Sequence, residues 1–472
     1  MKSLLFDSTI AAIATPAGYG GIGIIKISGA NALSIALSVF SLTPSLDKSV
    51  KVPSGVSFFE SHRLYHGYVV DFQNKTVIDE VLLSVMLAPR SYTTQDVIEI
   101  NCHSGQVVLN SILELVVSMG AKLAEPGEFT KRAFLSGRID LTRAESVIDV
   151  INAKSNMALK IATNHMLGGM QNSIELIKEA LIKILAHLEL SIDFNNDHTE
   201  EFEILSIAES LQIEVVDRLN LLLEQFKRYH VLRQGFKVVI AGKPNVGKSS
   251  IMNRLLKKER VIVTPIPGTT RDLIEENLFL NGISISLTDT AGIRQHPDNI
   301  EKIGILMAND RFLESDLILL VVDSSGPLSI DDYKILNKIK NKNIILVINK
   351  TDLPPGLDMD TLPDEWSNLK NIRTSALNNT GINSLTGAIF NFFSGIKPVE
   401  EGTIIPNLRQ KYSLEKSLGF ALNAKESLSL GVSAELISID LRESIDSLGE
   451  ITGAVKSDEI LDQVFANFCI GK

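Results

Sequence analysis

Between Gly242 and Ser249 the chain reads G-x-x-x-x-G-K-S, a spacing at which glycines let successive backbone N–H groups curl round phosphate oxygens. Lys248 would then sit on the β- and γ-phosphates as a catalytic cation, and the Ser249 hydroxyl would face Mg²⁺. Four further pieces follow at the intervals a guanine-nucleotide unit requires. GTTRD, Gly268 to Asp272, is a threonine-bearing switch, and DTAG, Asp289 to Gly292, ends a strand with a carboxylate for the metal's water and an N–H for the γ-phosphate. NKTD, Asn349 to Asp352, offers a carboxylate that accepts from both N1–H and N2–H of guanine, a donor pair adenine lacks. Ser375, Ala376 and Leu377 complete the base pocket. These residues point to GTP rather than ATP. Catalysis departs from the Ras-type pattern, because Ile293 stands where that pattern puts a water-orienting glutamine. Arg294, Gln295, His296, Asp298 and Glu301 are the candidates in the same segment, and the residues alone do not choose among them.

The elements that position this chemistry can be read from periodicity. Val238 to Ala241 is a buried strand, the run after Lys248 is a helix, and strands alternate with helices from Phe236 to Phe393 in the parallel α/β manner. Before it, residues 1 to about 120 read as mixed α/β with strands IGIIKIS, HGYVVDF, EVLLSVML and DVIEINCH, and with helical spacing over Asn31 to Phe40 and Val107 to Met119. GYGGIG, Gly18 to Gly23, satisfies G-x-G-x-x-G, but a strand rather than a helix follows it, so it reads as a turn. From Pro126 the texture becomes helical. Ile174, Ile177, Leu181, Ile184, Leu188 and Ile192 recur at three and four, and a second helical pattern spans Leu205 to Arg228. On charge alone Lys131, Arg132, Arg138 and Arg143 read as a solvated helical face rather than an anion-facing patch. The roughly 65 residues after the Pro-Gly connection SGIKPVEEGTIIPN are too few for a core of their own, so they should pack on the earlier helices and make the nucleotide unit an insertion.

Composition bounds the class. A chain of 472 residues is too long for one ordinary core, and 44% hydrophobic with 22% charged residues is globular. The formal net charge of −10 argues against coating nucleic acid non-specifically. Only two cysteines occur, Cys102 and Cys469, so a reducing compartment is expected. The A-x-A near Ala14 imitates a secretory signal, but Asp7 interrupts its apolar stretch, and no run of about 18 apolar residues is present for a spanning helix.

TPAGYGGIGIIKISG near the start, PGEFTKRAFLSGRIDLTRAE in the middle, and GEITG (Gly449 to Gly453), SDEIL and FCIGK (Phe468 to Lys472) at the end together resemble the MnmE/TrmE family of tRNA-modification GTPases, in the TrmE-Era-EngA-like superfamily. The resemblance covers the whole chain. It implies an α/β multidomain protein: an α+β folate-binding and dimerisation domain over 1–122, a helical domain in two parts over 123–232 and 395–472, and an inserted Ras-like parallel α/β GTPase domain over 233–394. It further implies a cytoplasmic homodimer that acts on tRNA with the flavoprotein MnmG/GidA, adding a carboxymethylaminomethyl-type group to C5 of the wobble uridine. The one-carbon ligand would be 5-formyltetrahydrofolate or a related folate, held by Lys26, Glu99, Arg138 and Lys472. Lys26 stands where the family commonly has arginine, and a lysine cannot grip a carboxylate bidentately.

By match, Cys469 is the candidate for chemistry on the one-carbon unit or the uracil, against the alternative of a small buried packing residue. Nucleotide contacts fall on Asn245, Val246, Gly247, Lys248, Ser249 and Ser250; on Thr264, Pro265, Ile266, Pro267, Gly268, Thr269 and Thr270; on Asp289, Thr290, Ala291 and Gly292; and on Asn349, Lys350, Thr351, Asp352, Ser375 and Ala376. The family uses K⁺ in place of an arginine finger, here at Asn245, Thr264, Ile266 and Thr269. Mg²⁺ would take Ser249 and Thr270. Glu301 matches the family's water-orienting glutamate. No function attaches to the acidic loop after Phe194. Two other classes compete: a ribosome-assembly or tRNA-binding GTPase switch without modification chemistry, which needs an RNA-binding module after Phe393 that the sequence does not display, and a folate-binding metabolic enzyme that acquired a GTPase.

Overall fold

The computed structural model describes residues 8–16, 18, 20–44, 59–193, 201–259, 275–280, 283–289, 312–313, 315–358, 364–393, 402–455, 458–466 and 468–472. The chain opens with β1 (Ile10–Ile13), β2 (Gly23–Ser28), α1 (Ala32–Val39), β3 (Phe40–Ser41), β4 (Arg63–Asp71), β5 (Thr76–Met86), β6 (Val97–Cys102), α2 (Gln106–Ser118) and β7 (Lys122–Leu123). The seven strands form one sheet in the order β3-β4-β5-β6-β2-β1-β7, antiparallel except for the β1–β7 pair. Alternation sets its two faces. Ile25, Ile27, Ile98, Ile100 and Cys102 are buried with Ala36, Ile112 and Val116 of the two helices, which leaves Lys26 and Glu99 on the opposite face, directly paired in register. Gly23 begins β2, so the glycine-rich segment before it leads into a strand and not a helix.

Next come α3 (Glu128–Leu135), α4 (Leu141–Asn152), α5 (Asn156–Met166), α6 (Gly169–Asp193), α7 (Glu201–Ser210), a π-helical stretch Leu211–Val216, and α8 (Asp217–Gln234). Asp140 starts α4 by accepting from the Thr142 and Arg143 N–H groups.

The nucleotide unit contains β8 (Phe236–Ala241), α9 (Lys248–Glu259), β9 (Glu275–Leu280), β10 (Ile283–Asp289), β11 (Leu317–Asp323), α10 (Ile330–Ile339), β12 (Ile344–Asn349), α11 (Asp364–Ser367), β13 (Lys370–Arg373) and α12 (Ile382–Phe393). Its six strands run in the order β13-β12-β11-β8-β10-β9, parallel except for β9 against β10. Both faces are covered, which accounts for the unbroken apolar run LILLVV in β11: Leu319 and Val321 pack toward Ile251 and Leu385, while Ile318, Leu320 and Val322 pack toward Leu336, Ile339 and Trp366. Phe236 and Phe393, at the two ends of the unit, stack with ring centroids 3.7 Å apart. Ile161 of α5 and Ile405 join the same cluster.

The chain closes with α13 (Leu408–Ser429), α14 (Ala434–Thr452) and α15 (Asp458–Ala466). Leu414, Ala421, Leu441 and Leu448 share one core with Ile174, Ile177, Leu181, Ile184 and Leu188 of α6 and with Leu211 and Val215, so segments on either side of the nucleotide unit bury each other. Arg409 adds an ion pair to Glu145 of α4, with Nε and Nη2 at 2.7 and 2.9 Å from the two carboxylate oxygens.

Candidate functional site

The carboxyl ends of β8, β10, β11 and β12 lie along one edge of the second sheet, and the crevice of such a sheet lies there. Strand β8 ends at Ala241, and the loop to Lys248 turns by left-handed conformations at Asn245 (φ 65°) and Gly247 (φ 96°), with Gly242 at φ 149°. A side chain at Gly242 would run into the Val321 carbonyl, and one at Gly247 into the Asn349 amide. The motif's glycines are thus fixed by close approach of other elements as well as by φ. Lys248, 6% exposed at the start of α9, donates to the Lys243 carbonyl at 2.9 Å. Lys243 in turn reaches the buried Asp332 at 3.0 Å. Asn245, Ser249 and Ser250 are exposed at the loop's mouth. Backbone amides of Val246 to Ser249 at a helix N-terminus, with one lysine behind them, fit a polyphosphate.

The base-side residues close on this loop. Asn349 donates from Nδ2 to the Val246 carbonyl at 2.8 Å and accepts at Oδ1 from Ala376 N–H at 3.1 Å and from the Thr374 hydroxyl at 3.2 Å. Ser375 donates its hydroxyl to Asp352. Thr351 N–H donates to the Thr374 carbonyl at 3.2 Å. Lys350, in the left-handed region at φ 64°, pairs with Asp323 at 2.7 Å. Burial pushes the Asp323 carboxyl up, but hydrogen bonds from Lys350 and Ser325 and the lysine's charge outweigh it and hold the group below its ordinary value. Asp289 closes β10 in register with Ile240 of β8, beside the phosphate loop. Thr264 to Thr270, Thr290, Ala291, Gly292 and Glu301 lie outside the described residues.

A second cluster stands on the open face of the N-terminal sheet. Lys26 Nζ lies 3.8 Å from Glu99 and over the rings of Tyr92 and Phe129, 4.9 and 5.2 Å from their centroids. Arg138 covers the Tyr92 ring at 4.8 Å and donates to the Tyr92 carbonyl at 3.2 Å. The Tyr92 and Thr130 hydroxyls share a hydrogen bond of 2.9 Å. Burial lowers the Lys26 ammonium below an ordinary lysine, and the charges of Lys472 and Arg138 add to this while Glu99 opposes it. Burial pushes the Tyr92 phenol up. The tail reaches the cluster because the start of α3 holds it: Gly127 N–H donates to the Cys469 carbonyl at 3.4 Å and Phe129 N–H to the Lys472 carbonyl at 3.1 Å. Lys26, Glu99, Arg138 and Lys472, far apart in sequence, are therefore brought together.

One outcome overturns the charge-based reading, and two others refine the sequence analysis. Arg132 is fully buried, not solvated, bonded to Glu128 at 2.8 Å, to the Ser8 carbonyl at 2.7 Å and to Gln95 at 2.9 Å. Arg138 is exposed, as that reading has it, and also covers the Tyr92 ring in the cation cluster. Cys469 is exposed, so it is not a buried packing residue; Cys102 is the buried thiol, pushed up to about 11 by burial and by the charge of Asp79. Sequence reasoning missed Tyr92 and Phe129, which no motif or periodicity marks.

The family model described as GTP-binding protein TrmE N-terminus matches residues 9–138, and that described as MnmE helical domain matches residues 141–469. The tRNA modification GTPase MnmE of Thermoanaerobacter pseudethanolicus is 43% identical over 471 residues, covering 99% of this chain and 100% of the relative. This chain belongs to the MnmE family. MnmE of Carboxydothermus hydrogenoformans is 44% identical over 473 residues, with 99% and 100% covered. Among solved structures, a variant of Aquifex aeolicus Era bound to GDP.AlF4- is similar at 26% identity over 39% of this chain and 66% of that one, with a TM-score of 0.26. As a member of the MnmE family the protein is a GTP-binding, GTP-hydrolysing enzyme of tRNA modification. Among the described residues, no helix is long and apolar enough to cross a membrane.

Proposed function

We propose that this MnmE-family GTPase works in the cytoplasm as a homodimer with a flavoprotein of the MnmG/GidA type, adding a carboxymethylaminomethyl-type group to C5 of the wobble uridine of certain tRNAs. The domains follow the division 1–122, 123–232, 233–394 and 395–472. The observation that carries the reading is the aromatic-walled cluster of Lys26, Arg138 and Lys472 beside Glu99, joined to the tail that bears Cys469. Three cations with one carboxylate between flat rings suit a flat, anionic ligand with a hydrogen-bonding edge, which is what a folate presents. When bound, 5-formyltetrahydrofolate or a related folate supplies the one-carbon unit. Lys26, Glu99, Arg138 and Lys472 would hold it, and Cys469 offers an exposed thiol on the same tail as Lys472.

In the nucleotide unit Lys248 neutralises charge on the β- and γ-phosphates, and Asp352, fixed by Ser375, selects guanine. Ser249 with Thr270 would hold Mg²⁺, and Asn245 with Thr264, Ile266 and Thr269 would hold K⁺; Ser249 and Asn245 are exposed at the loop. Bound there, the two cations would supply positive charge to offset the negative charge that develops on the phosphates. Glu301 orients the attacking water. From residue 402 onward the described chain is helix and connecting turn, which offers no support for a KH-type module and so favours modification over a bare RNA-binding switch.

Mass analysis of wobble nucleosides in cells lacking the protein tests the reaction, and unmodified uridine is expected to accumulate. An unchanged nucleoside profile would overturn it. Hydrolysis compared in K⁺ and Na⁺ at matched ionic strength tests the cation, and equal rates would remove K⁺ from the site.

A further inference from the structure

The loop that follows β13 is held in an unusual manner. Ser375 and Thr380 bridge to each other by backbone hydrogen bonds of 3.0 and 3.2 Å, closing a tight turn. Burial does not hold its tip, since Leu377 is 73% exposed and Asn378 and Asn379 are exposed. Polar ties do. Asn349 takes the Ala376 N–H, and on the other side of the same residue Arg254 donates from Nε to the Ala376 carbonyl at 2.8 Å and from Nη2 to the Leu377 carbonyl, also at 2.8 Å.

Arg254 lies in α9, six residues after Lys248, on the helix whose first turn faces the phosphates. A guanidinium is planar, permanently charged and able to meet two adjacent carbonyls with a fixed fork, so this is a stiff two-point clamp where a lysine would make a single swivelling contact. The clamp closes a ring of ties. It runs from the phosphate loop at Val246 to Asn349, to Ala376, to Arg254, and back down α9 to Lys248. Ser375, the residue before the clamped pair, donates to Asp352 and accepts from Asn378 N–H at 3.1 Å.

We propose that Arg254 is a specificity-determining positioning residue: by fixing the Ser375–Leu377 loop to the helix that begins at Lys248, it sets where the Asp352 carboxylate meets the base. The inference rests on the base-side reading of Asp352 and Ser375 given above. Arg254 touches no reacting atom. Its effect is on the distance and angle between the base pocket and the phosphate loop. Loss of the clamp lets Ser375 wander, and Asp352 then meets the guanine 2-amino group less well, so binding falls and discrimination against hypoxanthine, which lacks that amino group, shrinks.

The test uses the full-length protein with Arg254→Met, which keeps the apolar stem and helix propensity, and Arg254→Ala. GDP, IDP, XDP and pyrophosphate are titrated by calorimetry, with GTP hydrolysis measured alongside. Both variants are expected to lose about tenfold in GDP affinity and most of the GDP-over-IDP preference. KM for GTP should rise well beyond any change in kcat, and pyrophosphate affinity should hold. A wild-type GDP-to-IDP ratio in either folded variant overturns the proposal, as does a parallel loss of pyrophosphate affinity, which would place the defect in the phosphate loop. Asp352→Asn is measured with XDP in the same series. No gain there sinks the base-side reading and the proposal with it, whereas a gain with unchanged ratios in the Arg254 variants sinks the proposal alone.

Discussion

The phosphate loop of the second sheet and the cation cluster of the first both gather groups suited to an anion, and they do so with opposite materials. Seven consecutive residues after β8 supply the loop, mostly as backbone N–H groups shaped by φ at Asn245 and Gly247. The cluster takes side chains from β2, β6, the start of α3, the turn after it and the far tail, and its geometry depends on strand register and on two tail carbonyls seated at α3. A backbone site is local and survives most side-chain changes outside its glycines and lysine. A side-chain site is only as good as the packing beneath each contributor.

The sharpest break of the loop is Lys248→Ala. It removes the buried lysine behind the loop's backbone amides, and GTP turnover should fall by about 10³-fold. A fall of less than tenfold, measured at saturating GTP, would show that the backbone alone carries the site.

For the cluster, the comparable blow lands beneath it. Arg132→Met leaves Glu128 buried without its partner under Phe129 and Thr130, and should cost about 3 kcal/mol of stability. Denaturant unfolding gives the stability, and calorimetry with 5-formyltetrahydrofolate gives the affinity, which should fall with it. Wild-type affinity in the folded variant would mean that the cluster, like the loop, holds its shape locally.

The smallest effect sharpens the contrast through pH. Lys26 carries a lowered ammonium pKa through burial first, so its positive charge, and the affinity for an anion resting on it, is lost as pH rises through a value below 10.5. Tyr92, pushed up by burial, stays neutral until higher pH. For stability the sign is opposite: the folded state binds fewer protons than the unfolded chain between the lowered value and 10.5, so this lysine's burden is relieved as pH rises through that window. Lys26→Arg should carry affinity a few-fold further at the alkaline end. Identical alkaline limbs for the two proteins would remove Lys26 from the anion's surroundings.

The same contrast decides what the amino-acid sequence reveals. Gly242, Gly247, Lys248, Asn349 and Asp352 are legible because each motif is short and each residue type answers one requirement of the nucleotide. Period-two alternation likewise announces β2 and β6, and the LILLVV run announces a strand covered on both faces. Register is not legible. Nothing in the spacing of Lys26 and Glu99 says that they face each other, and charge alone gave Arg132 to solvent when Ser8, Gln95 and Glu128 enclose it. Arg254 was unreadable for the same reason, since its partners are carbonyls more than a hundred residues away.

Phe236 and Phe393 stack at 3.7 Å, and with Ile161 and Ile405 they form the joint through which the chain both enters and leaves the nucleotide unit. A body hung by both ends from one point has a pivot and a lever arm. Strand β8 starts at the pivot and delivers the phosphate loop about 20 Å away, the length of its six residues. A tilt of roughly 10° at the aromatic pair therefore sweeps the loop through about 3 to 4 Å. A small repacking at this aromatic joint, at the end of the strand remote from the phosphate loop, is thereby magnified at the chemistry.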